Sequence, residues 1–481
     1  MASRNTRTPG FQLGEFHAPD VPDYVVAELR YDSGLVVTRG GIAAPSAASE
    51  ARGRGLNETL AAFDLERVGP HFELPQRVLA TRSRAVTRSR ERVSAGYAQS
   101  GFVQVVPKRG KDAKAIASKL ARSGAVWSAH VAPRPVPAAA PGGASNLSRN
   151  FEPAQGYLHS PPDGIGAMAG WATAGATGKG VTICDIEGNW NLTHEDLPAG
   201  IASLGGSVIA GQDWIDHGTA VLGEMVSQRG PIGTVGAARD AGAAVHGCIV
   251  AGVFNTAAAI TSAAARLKSG DVILIELQAT GPNNAYVAMQ YWPDVFSAIK
   301  AATDQGITVV EAAGNGNQDF DLPVYAGSGL QKASGAIVVG AGIPPTNWYD
   351  FHGGGPGTAY SQIGVPRSRI WFSNYGKIVD VQAWGWHVAT LGYGDAQGGT
   401  TDQNRWYTLR FSGTSSASPI VTAAVACLQG AAKVKTGSAL TPAKVRSILM
   451  NTGSPQVAGP GVPLSQRIGP QPNLPAALKL I

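Results

Sequence analysis

Residues 180–188 read GVTICDIEG, an apolar run bounded by glycines with carboxylates at its end. Three more runs of this kind follow: DVILIEL (271–277), ITVVEAAG (307–314) and AIVVGAG (336–342). Between them lie stretches with helical periodicity, HGTAVLGEMV (217–226) and TSSASPIVTAAVACLQGAA (414–432). Strands covered on both faces read as unbroken apolar runs, and intervening helices carry the chain back so that such strands run parallel. The expected class is therefore α/β, a doubly wound and mostly parallel sheet.

Working toward the N-terminus, residues 134–150 (RPVPAAAPGGASNLSRN) are rich in Pro, Ala and Gly and read as an exposed linker. Before it, YVVAELRY (24–31) reads as a strand and Asn57–Arg67 as an amphipathic helix. Strand GFVQVVP (101–107), helix KDAKAIASKLARSG (111–124) and strand AVWSAHVAP (125–133) complete a second half. Two strand–helix–strand halves indicate a small α+β sandwich of ferredoxin-like type. The expected organisation is a flexible arm over 1–21, an α+β domain over 22–133, a linker over 134–150 and the large α/β unit over 151–481. The charged run 77–93 (RVLATRSRAVTRSRERV) reads as a solvated loop.

Composition sets the outer limits. At 481 residues the chain exceeds the roughly 250–300 residues of one core, so two units are expected. The net charge of +6 divides unevenly: residues 1–150 hold 21 Lys+Arg and 12 Asp+Glu (+9), leaving −3 for the rest. A basic excess at one end, with no aromatic-rich RNA signature or zinc spacing, argues against a nucleic-acid partner. Three cysteines, Cys184, Cys248 and Cys427, leave no fully paired framework and read as buried thiols. The first twenty residues lack the apolar core of about 7–15 residues typical of a secretory leader, and no uninterrupted apolar stretch reaches about 18 residues. The expectation is a chain with no membrane partner that is either cytoplasmic or exported without a classical signal.

Polar residues at strand ends and helix starts are where open parallel sheets carry their chemistry. Asp185 follows an apolar strand, His217 opens a helical stretch, Asn315 ends VVEAAGN (309–315), and Ser415 follows Gly413 at another helix start. A serine hydroxyl becomes nucleophilic when an imidazole takes its proton, and a carboxylate behind the imidazole fixes its tautomer. Backbone N–H groups at a helix start and an amide side chain can together hold an oxyanion. Each residue alone also reads as a cap or turn residue. The combination points to hydrolysis of a peptide bond.

These segments resemble the subtilisin family of serine peptidases. DIEG (185–188) loosely matches its Asp-x-Gly strand end, and HEDL (194–197) stands where the family has His-Pro-Asp-Leu. HGTAVLG (217–223), AAGN (312–315) and GTSSASP (413–419) match its His-Gly-Thr, Ala-Ala-Gly-Asn and Gly-Thr-Ser-x-Ala-Ser-Pro blocks, in the family's order. The likeness spans roughly 165–455. It implies a seven-stranded parallel sheet, a triad of Asp185, His217 and Ser415 with Asn315 in the oxyanion hole, and a protein or peptide substrate.

Further implications follow residue by residue. The family's S1 pocket implies substrate contacts for Glu276, Leu277 and Gln278 on one side and Ala313 and Gly314 on the other. Glu276 replaces a small polar residue; facing the pocket it would favour Lys or Arg at P1, and bonded to neighbours it would leave specificity alone. Trp384 stands where the family has the proline of an Ala-Pro-Gly turn. The segments around 344–370 and 393–407 read as insertions. The family's calcium loop has lost its asparagine ligand to Gly230, although Asp196 keeps its place, so no metal or other cofactor is expected; Asp319 and Asp321 are the alternative oxygen ligands for a calcium ion. Residues 22–133 correspond to the family's propeptide, which implies an inhibitory, chaperone-like unit acting in cis. The alternative function is a catalytically silent scaffold of this fold that binds a protein partner.

Overall fold

The computed structural model describes residues 23–30, 35–38, 41–43, 47–72, 101–133, 149–345, 364–398 and 402–481. The arm, the charged run 77–93, most of the linker and parts of both proposed insertions fall outside these residues.

In the N-terminal unit, β1 (Val25–Leu29), α1 (Ala47–Ala61), β2 (Leu65–Pro70), β3 (Phe102–Pro107), α2 (Ala113–Ala121) and β4 (Val126–Val131) follow in order. The strands form an antiparallel sheet in the order β2-β3-β1-β4. This is the ferredoxin-like arrangement, with one difference from the sequence reading. The first helix starts ten residues earlier than Asn57 and stops at Ala61, and Leu65–Arg67 belong to a strand. Pairing with β3 supplies backbone partners that local helical spacing does not, and it overrides that spacing.

In the larger unit, β5 (Thr182–Glu187), β6 (Ala202–Gly205), β7 (Gly242–Gly247), β8 (Val272–Ile275), β11 (Thr308–Ala312), β12 (Ile337–Gly342) and β13 (Val381–Trp384) form the seven-stranded sheet; β9 and β10 make a hairpin, treated with the site. Its order is β13-β12-β11-β8-β5-β7-β6, with all neighbours parallel. Alternation along each strand divides the core. Val272 and Leu274 pack with helices α3 (Gln212–Val226) and α6 (Thr414–Thr436), whereas Ile273 and Ile275 pack on the opposite face with α4 (Thr256–Ala264) and α5 (Pro293–Asp304). Helix α6 is long and apolar enough to cross a membrane, and it lies buried at the centre of this core.

The same alternation joins the two units. Val25, Ala27 and Leu29 pack inside the N-terminal unit, while Tyr24, Val26, Phe102 and Val106 belong to one apolar cluster with α4 and α5. The small sheet is thus covered on both faces. Tyr24 donates to the Phe254 carbonyl at 2.5 Å, and Asn255 donates to the His71 carbonyl at 3.1 Å.

Candidate active site

Period-two alternation on β5 decides which carboxylate reaches which neighbour. Ile183 packs with the α3 and α6 side of the sheet, whereas Cys184 and Ile186 pack with the other. Asp185 and Glu187 therefore share the face toward α3 and α6, with Glu187 at the carboxyl end and Asp185 one repeat deeper. His217 is the sixth residue of α3, one turn further in than a helix start. Its Nδ1 lies 2.5 Å from Glu187 Oε2, with both side chains fully buried. The second oxygen, Oε1, accepts from the Gly188 N–H at 2.7 Å, so the carboxylate is fixed in two directions.

This corrects the expected partner of the histidine. Asp185 accepts from Trp190 Nε1 at 2.7 Å instead. Burial, and then the Glu187 charge, push the Asp185 carboxyl well above its usual range, which favours the neutral acid. Matching on residue type singled out Asp185. The position at the strand's carboxyl end, immediately before Gly188, is the signal that favours Glu187.

Ser415 is the second residue of α6, whose N-cap is Gly413 at φ 105°, a conformation that a side chain would strain. Two contacts dock this helix start on β13: Gly413 N–H donates to the Gly385 carbonyl at 2.9 Å, and Ser416 Oγ donates to the Trp384 carbonyl at 2.9 Å. Trp384 itself is a core side chain whose Nε1 donates to the Asp163 carbonyl at 2.7 Å, so the missing proline is replaced by a packed ring. Asn315 is tied to the same turn. Its Oδ1 accepts from the Thr414 N–H at 2.9 Å and from Thr414 Oγ1 at 3.0 Å, and its own N–H donates to Gln278 Oε1 at 2.7 Å. Because a backbone N–H is donor only, the accepting atom is the amide oxygen, which leaves Nδ2 as the donor side of Asn315. The His217 ring meets Phe411 edge to face at 5.5 Å.

The expected pocket residues are placed differently. Glu276, Leu277, Gln278 and Ala313 are all at most 2 % exposed. A hairpin of β9 (Gln278–Thr280) and β10 (Tyr286–Ala288) fills the space beside them. Gly314 and Gly316 press against its backbone: a Cβ on Gly316 would stand 2.0 Å from the Tyr286 carbonyl oxygen. Asn374 Nδ2 donates to the carbonyls of Ala313 and Tyr286 at 2.7 and 2.9 Å and pins the two together. Glu276 is hydrogen-bonded to Ser418 on α6, so its carboxyl group turns to the helix and gives no basis for a basic P1 preference. Open volume lies next door, in a cavity of about 320 Å³ bounded by Asn315, Gly413, Tyr286, Trp371, Phe372 and Trp386.

The oxygen ligands considered for calcium are engaged by protein. Asp196 Oδ2 accepts from the Thr234 N–H at 2.7 Å and its Oγ1 at 3.1 Å, and burial pushes this carboxyl up to about 7. Asp319 accepts from the Asp321 N–H, and Asp321 from the Lys377 N–H. Among the described residues no group of three His, Cys, Asp or Glu side chains is arranged to hold a metal.

Comparison with known proteins places this geometry in a lineage. An extracellular protease of Xanthomonas campestris pv. campestris is 29% identical over 276 residues, which cover 55% of this chain and 39% of that protein. The chain thus spans about two fifths of that relative's length. Its location overturns the expectation of a cytoplasmic chain or one exported without a classical signal. Fervidolysin from Fervidobacterium pennivorans, a keratinolytic enzyme related to subtilisin, shares the fold at a TM-score of 0.54 and 18% identity, over 97% of this chain and 62% of that one. A protease from Pseudoalteromonas arctica aligns at a TM-score of 0.47 and 21% identity, over 70% of this chain and 99% of that one. The Subtilase family profile matches residues 178–469, which is well over half of the sequence, and the chain belongs to that family.

Proposed function

We propose that this chain is a secreted serine endopeptidase whose triad is Glu187, His217 and Ser415, with Asn315 in the oxyanion hole. The observation that carries the reading is the 2.5 Å contact between Glu187 Oε2 and His217 Nδ1, on a helix that packs in one core with α6, at whose start Ser415 lies buried. With Nδ1 bound to Glu187, Nε2 is the nitrogen that takes the Ser415 proton as Oγ attacks the scissile carbonyl. Glu187 stabilises the imidazolium, and its bond to the Gly188 N–H keeps it aimed while charge develops. The oxyanion accepts from Asn315 Nδ2 and from the Ser415 backbone N–H at the start of α6. Collapse expels the amine, which receives the proton from His217; water then hydrolyses the acyl-enzyme by the same route.

The aromatic walls of the cavity beside Asn315 and Gly413 suit a large apolar substrate side chain. The N-terminal unit, docked on α4 and α5, supports a role as a cis-acting inhibitor and folding aid. Reaction with a fluorophosphonate probe tests the reading: wild-type protein labels at Ser415 and cleaves peptides, and Ser415→Ala does neither. Peptide cleavage by Ser415→Ala at the wild-type rate would refute it.

A further inference from the structure

Beneath the proposed nucleophile lies a buried cluster of acids. Glu276 stands at the carboxyl end of β8, Asp185 and Glu187 on β5, and Glu224 two turns beyond His217 on α3; none is more than 1 % exposed. Only Glu187 has a basic partner, His217. Both oxygens of Glu224, Asp185 Oδ1 and Glu276 Oε2 have no hydrogen-bond partner among the described residues. Four such groups cannot all be ionised out of reach of water.

Counting hydrogens settles how Glu276 is held. Ser418 has one hydroxyl hydrogen and two oxygen neighbours, the Thr414 carbonyl at 2.7 Å and Glu276 Oε1. If Ser418 donates to Thr414, as a helical serine commonly does one turn back, the bond to Glu276 needs a hydrogen from the carboxylic acid. Ser415 and Ser418 stand three residues apart in the first turn of α6, so whatever holds Ser418 also holds the turn that presents Ser415. Building on the function proposed above, we propose that Glu276 is a positioning residue for Ser415: its acid proton, donated to Ser418 Oγ, braces the first turn of α6 without placing a second negative charge beside the nucleophile.

Burial raises the Glu276 carboxyl well above the normal range, and the Ser418 bond only partly offsets it. Glu224, raised by burial and by Glu276, is the remaining titratable group facing it. Deprotonation on the alkaline side would reverse the Ser418 bond and bring a carboxylate against Ser415.

The test is the pH profile of kcat and KM for full-length wild type and Glu276→Gln. Because a glutamine amide is neutral and can still donate to Ser418 Oγ, the variant is expected to lose no more than about tenfold in kcat at neutral pH, with KM unchanged. Its alkaline limb should move upward or vanish. Superimposable profiles would overturn the proposal, whereas a wild type that neither labels nor cleaves would overturn the underlying function instead. If Glu276→Gln does not fold, infrared spectra of the wild type decide: a protonated-carboxyl band at neutral pH that shifts when fluorophosphonate occupies Ser415 supports the proposal, and one that is absent or unshifted contradicts it.

Discussion

Among the described residues, histidines meet carboxylates at two places, one inside the larger unit and one between units. His217 and Glu187 are paired one to one, fully enclosed, with the second carboxylate oxygen tied to Gly188. At the other contact one acid serves two imidazoles. Asp294, in the first turn of α5, lies 2.8 Å from His71 Nε2 and 3.4 Å from His130 Nε2, both contributed by the N-terminal unit. Burial alone would raise the Asp294 carboxyl, but the His71 hydrogen bond and the two imidazoles facing it outweigh burial and hold the group well below the usual range. The same chemistry thus does two jobs. One pair is enclosed in the core of the larger unit, and the other is surrounded by Tyr24, Phe72 and Phe102 at an interface.

The largest effects break the first contact. His217→Ala and Ser415→Ala should each lower kcat by about 10⁶, the loss seen when either residue type is removed from a subtilisin, with thermal unfolding little changed. Steady-state peptide hydrolysis measures it, and a variant that keeps more than a few per cent of the activity would contradict the triad. Asn315→Ala should lose about 10²–10³ in kcat with a modest change in KM, again the loss recorded for a subtilisin's oxyanion amide.

The second contact should respond more mildly. Asp294→Asn removes the shared charge but not the apolar contacts around it, so opening between the units should become about 10–100-fold more populated, as expected for hydrogen bonds to a buried charge. Hydrogen exchange of β1 and β3 in the full chain reads this; unchanged protection would show that the charge is dispensable. The pH dependence has a definite sign. A carboxyl group depressed by folding contributes stability above its ordinary range and loses it as pH falls through the folded value. The Asp294 term should therefore persist through mildly acidic pH and disappear only in strong acid; its loss already at weakly acidic pH would contradict this.

How much was legible in the sequence follows the same division. The unbroken apolar runs of β5, β8, β11 and β12 gave the parallel sheet directly, because burial on both faces leaves no alternation to misread. Leu65–Pro70 was harder, since its strand character comes from pairing with β3 some 35 residues away in sequence. The β9–β10 hairpin carries a turn signal in GPNN (281–284) that marks two short strands, yet nothing in those letters says that the hairpin fills the space beside Gly314 and Gly316. Glu276 was read with two orientations, and composition holds no preference between a pocket and the underside of a helix. Asp185 and Glu187 share a face by the period of a strand, so only depth separates them, and depth is set by where β5 ends.

The most direct test sets those two carboxylates against each other. In steady-state kinetics of Glu187→Gln and Asp185→Asn, both isosteric, Glu187→Gln should lose about 10⁴ in kcat, as when the triad carboxylate of a chymotrypsin-type enzyme is neutralised. Asp185→Asn, which replaces an already neutral acid bonded to Trp190, should stay within about tenfold of wild type. The reverse order, with Asp185→Asn inactive and Glu187→Gln near wild type, would contradict the account.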